Sequence, residues 1–162
     1  MWITSDEFNF FNACSLVGAS TSSQTTSETC SVVDMGRYQS MVAIIQIGTN
    51  NVTTSNLYVL QQAAVSTAPT ATTAVYAPFN YRYASSGTDV LSARAAGVTT
   101  AATVMTTTAG MTYLVEVKSD DLKDGYPYVS VSVSSAAAGR PVAVAYVMKP
   151  RYPMNVMMTA IS

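Results

Sequence analysis

The chain holds 162 residues, a formal charge of −1 and 10% charged side chains, where an average protein carries about 25%. Its eight Lys and Arg residues are scattered singly, which excludes the clustered positive charge that duplex nucleic acid demands, and no apolar run approaches the ~20 residues of a membrane span. Histidine is absent, so the commonest general base, metal ligand and triad member is missing.

A chain of this length is expected to form one domain, or one domain with an arm. A single core can then bury roughly 70% of the unfolded surface without staples or metals. With so few charges, the polar surface must come from Ser, Thr, Asn and Gln. Lys and Glu are depleted where proteins bind one another, so a surface poor in them is inclined to adhere.

The elements follow in chain order. Residues 1–30 read as an N-terminal arm and polar loop. Trp2, Phe8, Phe10, Phe11, Leu16 and Val17 put much aromatic area into a segment of weak periodicity, and a Ser/Thr-rich stretch follows. The start shows no basic segment before an apolar run, so no secretory signal is expected. Residues 31–35 read as a short strand, Gly36-Arg37 as a turn, and Tyr38 to Ile47 as a strand with little polar surface on either face. Gly48 to Asn51 turn the chain by composition, and Asn56 to Ala64 form the next strand.

Residues 65–74 are a connection. Phe79, Tyr81 and Tyr83 alternate with Asn80 and Arg82, which suits a half-buried strand, and Pro78 places it at an edge or a strand start. Residues 90–109 are rich in Ala and Thr, with one short strand expected around Thr103 to Thr107. Met111 to Lys118 is a strand. Ser119 to Gly125 reads as one helical turn with Ser119 as its N-cap. From Tyr126 to Ser134, Val129, Val131 and Val133 alternate with Ser130, Ser132 and Ser134, putting valines on one face and serines on the other. Pro141 to Met148 is apolar at nearly every position, as in a strand covered on both faces or pressed against a partner.

About eight short strands with almost no helix predict an all-β fold: a two-sheet antiparallel β-sandwich of jelly-roll type. An extended N-terminal arm and a C-terminal tail flank the sandwich domain, residues 31–152. An immunoglobulin-like sandwich is the alternative, without the Cys…Trp…Cys spacing that would support it.

Little in the chain points to chemistry. The acidic cluster Asp120, Asp121 and Asp124 lacks the oxygen ligand of a calcium loop at its middle position, and a solvated turn closed by Asp124-Gly125 is the simpler reading. No Gly-rich phosphate loop opens a helix. No catalytic, cofactor-binding or metal-ligating set is assigned. Tyr126, Tyr128, Tyr146 and Tyr152 fall in or beside the central strands, where such rings serve as core, protein interface or sugar-stacking platform; core is the expectation for most. Cys14 and Cys30 could close a loop over a polar segment, while a core of this size needs no staple, which favours two free, partly buried thiols in a reducing cytoplasm. Residues 153–162 form an apolar tail with Met154, Met157 and Met158, adaptable side chains that are expected to dock on their own domain or on a neighbour.

Four stretches together carry a resemblance. They are the apolar Phe10 to Cys14 region, the strand–turn–strand run from Val32 to Gly48, the aromatic segment Pro78 to Arg82, and Glu116 to Leu122 with Asp124 to Ser132, closed by Pro150-Arg151-Tyr152. In their order they resemble the jelly-roll cement, or decoration, proteins of tailed bacteriophages. The resemblance spans most of the chain, through short structural motifs, and leaves the Met-rich extension unmatched. It implies a non-enzymatic virion protein, made in the host cytoplasm, that sits on the capsid exterior and bridges capsomers of the major capsid protein as a homo-dimer or homo-trimer. Rigid sandwiches act in this way through arms, tails and strand edges, and many copies on a symmetric shell make weak contacts effective. Trp2, Phe8, Phe10, Phe11, Met154, Met157 and Met158 are the expected contact residues. No membrane or nucleic-acid partner and no cofactor is expected. A carbohydrate-binding module on the same scaffold is the alternative.

Overall fold

The computed structural model describes residues 9–17, 28–47, 56–64, 75–85, 87, 88, 90–96, 103, 104, 110–135 and 142–152. They form twelve strands and one 3-10 turn: β1 (Asn9–Val17), β2 (Glu28–Thr29), β3 (Val33–Asp34), β4 (Tyr38–Ile47), β5 (Asn56–Ala63), β6 (Val75–Tyr76), β7 (Asn80–Ala84), β8 (Ala95–Ala96), β9 (Thr103–Val104), β10 (Thr112–Lys118), the turn Ser119–Asp121, β11 (Tyr128–Ser135) and β12 (Val142–Pro150). The protein is an all-β, two-sheet antiparallel sandwich, as its alternating patterns predict.

The first sheet runs β1-β12-β4-β10-β7-β8. The second runs β2-β11-β5-β6, with β3 also on β11 and β9 also on β5. Strands distant in sequence pair in nested fashion. β1 pairs with β12, β2 and β3 with β11, β4 with β10, and β5 with β6 and β9, all antiparallel. This is one long hairpin rolled up so that successive arms alternate between sheets, which is the jelly-roll arrangement. β7 and β8 extend the first sheet beyond β10.

The segment expected as an arm is in part a strand of the sandwich. β1 lies along β12 from Asn9 opposite Met148 to Val17 opposite Val142, so residues 9–17, ahead of residue 31, are part of the sandwich. Its register shifts between Asn12 and Cys14 and again between Cys14 and Val17. Bulges of this kind break the period of two by which a strand is recognised.

The core lies between the sheets. β4 contributes Met41, Ala43, Ile45 and Ile47, β10 contributes Tyr113, Val115 and Val117, and β12 contributes Val144, Tyr146 and Met148, all buried. Val129 and Val131 of β11, with Val33, face them from the second sheet. Tyr38 is buried as well, although it is three residues from Met41 and a strict alternation would turn it outward. A register shift explains this: Ser40 lies opposite Lys149 while Tyr38 lies opposite Pro150, so Gln39 is an extra residue that returns Tyr38 to the inner face.

Ser130 is fully buried, and its hydroxyl has no hydrogen-bond partner among the described residues. The period of two does turn Ser130 away from Val129 and Val131, but the outer face of β11 is covered at this point. Ser119 is the first residue of the 3-10 turn and not its cap. The cap position is Lys118, with no side-chain capping bond, and Ser119 Oγ donates to the Gln39 carbonyl and accepts from Arg151. Cys30 is disulfide-bonded and no free cysteine is present among the described residues, against the expectation of two free thiols; the sequence holds one other cysteine, Cys14. Cys14 is in β1 of the first sheet, and Cys30 follows β2 of the second.

Candidate interaction face

The side of the first sheet turned away from the core is the most distinctive surface of the described chain. Alternation fixes its membership. Between the buried residues of β4 lie Val42, Ile44 and Gln46; between those of β10 lie Leu114 and Glu116; between those of β12 lie Ala145 and Val147, with Ala143 before them. Register brings them side by side: Ile44 is opposite both Leu114 and Ala145, and Val42 is opposite both Glu116 and Val147. An apolar stripe therefore crosses three strands. Its members are half-buried, and Gln46 at its border is exposed.

Toward β7 the stripe ends in a cleft of about 230 Å³ lined by Val42, Asn80, Tyr81, Arg82, Arg94, Leu114 and Glu116. Arg82 stands opposite Leu114, and Asn80 opposite Glu116. Tyr81 pairs with Ala95 of β8, which brings Arg94, just before β8, alongside Arg82. Arg94 donates a hydrogen bond to Glu116 Oε2, forming an ion pair that spans β7. The cleft thus holds an aliphatic floor, two guanidinium groups and one carboxylate. Arg82 is exposed and takes part in none of the ion pairs of the described residues, which are Asp34–Arg37, Arg94–Glu116 and Asp120–Arg151.

Of the residues expected to make contacts, two are among the described residues, and Phe10 pairs in register with Val147 of the stripe. Phe10 and Phe11 are in β1, opposite Val147 and Tyr146, on the outermost strand of the first sheet. Trp2, Phe8, Met154, Met157 and Met158 lie outside the described residues. The acidic cluster forms an exposed turn: Asp120, Asp121 and Asp124 are all exposed, and Asp120 Oδ1 lies 3.4 Å from Arg151. Tyr126 N–H donates to the Lys123 carbonyl at 3.0 Å, and Gly125 adopts φ +81°, a left-handed conformation natural to glycine.

The tyrosines divide. Tyr146 is fully buried. Its phenol reaches from the first sheet to the second, where Val131 N–H donates to it at 3.0 Å. Val131 is in the interval between the pairings with β2 and β3, and its carbonyl accepts from Cys30 N–H at 2.8 Å. Burial pushes the Tyr146 phenol well above its ordinary pKa, partly offset by the Val131 hydrogen bond. Tyr81 and Tyr83 pack on Tyr113 with centroids 6.5 and 5.7 Å away and planes tilted 47° and 45°. Tyr126 lies under Lys123 Nζ at 4.6 Å, Tyr128 is half-buried, and Tyr152 is exposed.

Sequence reasoning did not assemble the cleft. The signal was present strand by strand, because Leu114 and Glu116 alternate with Tyr113, Val115 and Val117, and Arg82 alternates with Tyr81 and Tyr83. What was missing was the adjacency of β4, β10 and β7, which no local pattern encodes. Set against family models, curated proteins and solved structures, the chain matches none.

Proposed function

We propose that the protein is a structural adhesion protein, a cement protein on the exterior of a bacteriophage capsid that bridges capsomers of the major capsid protein and acts without catalysis. The observation that carries this reading is the apolar stripe of Val42, Ile44, Leu114, Ala145 and Val147 across the outward side of a rigid jelly-roll sheet. A contiguous, half-buried apolar stripe on an outward sheet face suits a protein contact, and the low charge of the chain reduces the desolvation that contact requires. The disulfide at Cys30 supports an oxidising final location such as a virion surface. The carbohydrate-binding alternative draws less support, because Tyr81, Tyr83 and Tyr113 are tilted against one another and offer no flat shared platform.

Copy number in purified virions tests the proposal. Quantitative mass spectrometry against the major capsid protein is expected to give one copy per capsid subunit or a simple fraction of it. A handful of copies per particle, or none, would overturn it.

A further inference from the structure

We infer that the cleft beside Arg82 receives an extended segment of the partner protein in which an aliphatic residue is followed, two positions later, by Asp or Glu. The inference rests on the adhesion reading above and names the chemistry of the partner. Three observations support it. The floor, Val42 and Leu114, is aliphatic and open to the outward side. At about 230 Å³ the cleft is smaller than the roughly 300–1,000 Å³ of sites that enclose a small molecule, and it suits one side chain projecting from a chain that runs across the surface. The wall carries two arginines against one glutamate. Arg94 is already paired with Glu116, which leaves Arg82 as an exposed guanidinium with no ion-pair partner among the described residues.

Geometry sets the spacing. Arg82 and Leu114 are cross-strand neighbours, so their Cβ atoms stand about 5 Å apart, and the guanidinium extends several ångströms further. Residues i and i+2 of an extended strand share one face at about 6.6 Å. An aliphatic side chain seated on Leu114 and Val42 therefore presents the carboxylate two residues later to Arg82, where a charge-assisted and often bidentate contact forms. Asn80 beside Glu116 supplies an amide for the passing backbone. A neighbouring residue at i+1 points the other way and is unconstrained.

The test uses the full, oxidised chain, isotope-labelled, titrated with the capped peptide Gly-Leu-Ser-Asp-Gly. Saturable amide shifts are expected at Val42, Arg82 and Leu114. The Asn counterpart of the peptide is expected to bind about 5–10-fold more weakly, on the order of the ~1 kcal/mol of a partly exposed charged contact. Arg82→Gln, at an exposed position, is expected to abolish the preference for Asp while leaving the fold intact. Absence of shifts at millimolar peptide, equal binding of the Asp and Asn peptides, an unchanged preference in Arg82→Gln, or the same shifts with acetate alone would each overturn the inference. A high virion copy number with no peptide binding removes this inference and leaves the adhesion reading standing; peptide binding without virion incorporation does the reverse.

Discussion

Replacing Tyr146 with Phe removes a phenol oxygen that links the two sheets. The ring remains and so does its packing, because the substitution removes a single oxygen. That oxygen accepts from Val131 N–H at 3.0 Å, in a position where both residues are buried. Losing it leaves a backbone donor without its acceptor in the dry centre of the sandwich, a cost of about 1–3 kcal/mol. For a chain of this size each kcal/mol lowers Tm by roughly 2–4 °C, so a drop between about 2 and 12 °C is expected. Urea unfolding of wild type and Tyr146→Phe, with equal slopes m and a lower midpoint for the variant, gives the number directly. A change below about 0.5 kcal/mol would refute the reasoning, since it would mean that Val131 N–H is not held by this hydroxyl. The same group has a pH signature. Its pKa is raised in the folded protein, so its contribution is fully present below about pH 10, where the phenol of the unfolded chain ionises, and is lost as pH rises beyond that. Tyr146→Phe is expected to lose less stability than wild type between pH 9 and 11 in parallel melts.

The remaining predictions concern separate parts of the fold. Cys30→Ser, or reduction of the wild type, is expected to cost about 3 kcal/mol, the chain-entropy value for a closed loop of about 15 residues, read by chemical unfolding with and without reductant. Gly125→Ala forces a Cβ into the left-handed region and is expected to cost about 1 kcal/mol; the built Cβ meets nothing within 4 Å, so a larger loss would point to a contact beyond backbone strain. Met41→Ala in the core is expected to cost about 2–5 kcal/mol by the same unfolding assay. Arg94→Ala removes an ion pair whose partners are both well exposed and is expected to change stability by less than about 1 kcal/mol.

Much of the fold was legible because the strands that matter most alternate cleanly or run unbroken. β4 occupies Tyr38–Ile47 as its apolar run predicts, and β10 and β11 follow their valines. β1 was illegible for a physical reason: two register shifts interrupt Asn9–Val17, and its partner β12 is more than a hundred residues away. The inward turn of Tyr38 depends on one extra residue, Gln39, whose effect shows only in the pairing with β12. The linkage of Cys30 is a matter that spacing alone does not decide. The candidate cleft was half-legible, its residues placed on outward faces by alternation but not on the same part of the surface.

The nested pairing also sets an order of assembly. β12, the last described strand, lies between β1 and β4, the first and fourth. A ribosome adding about 5–20 residues per second exposes β1 and β4 for several seconds before the strand that joins them exists. During that interval β4 keeps an apolar edge unpaired and β1 has no strand of its own sheet beside it, a condition that favours pairing with other chains. The described sandwich therefore closes after synthesis of β12, and pairings of such long range place its folding in the millisecond-to-second regime of β-sandwiches.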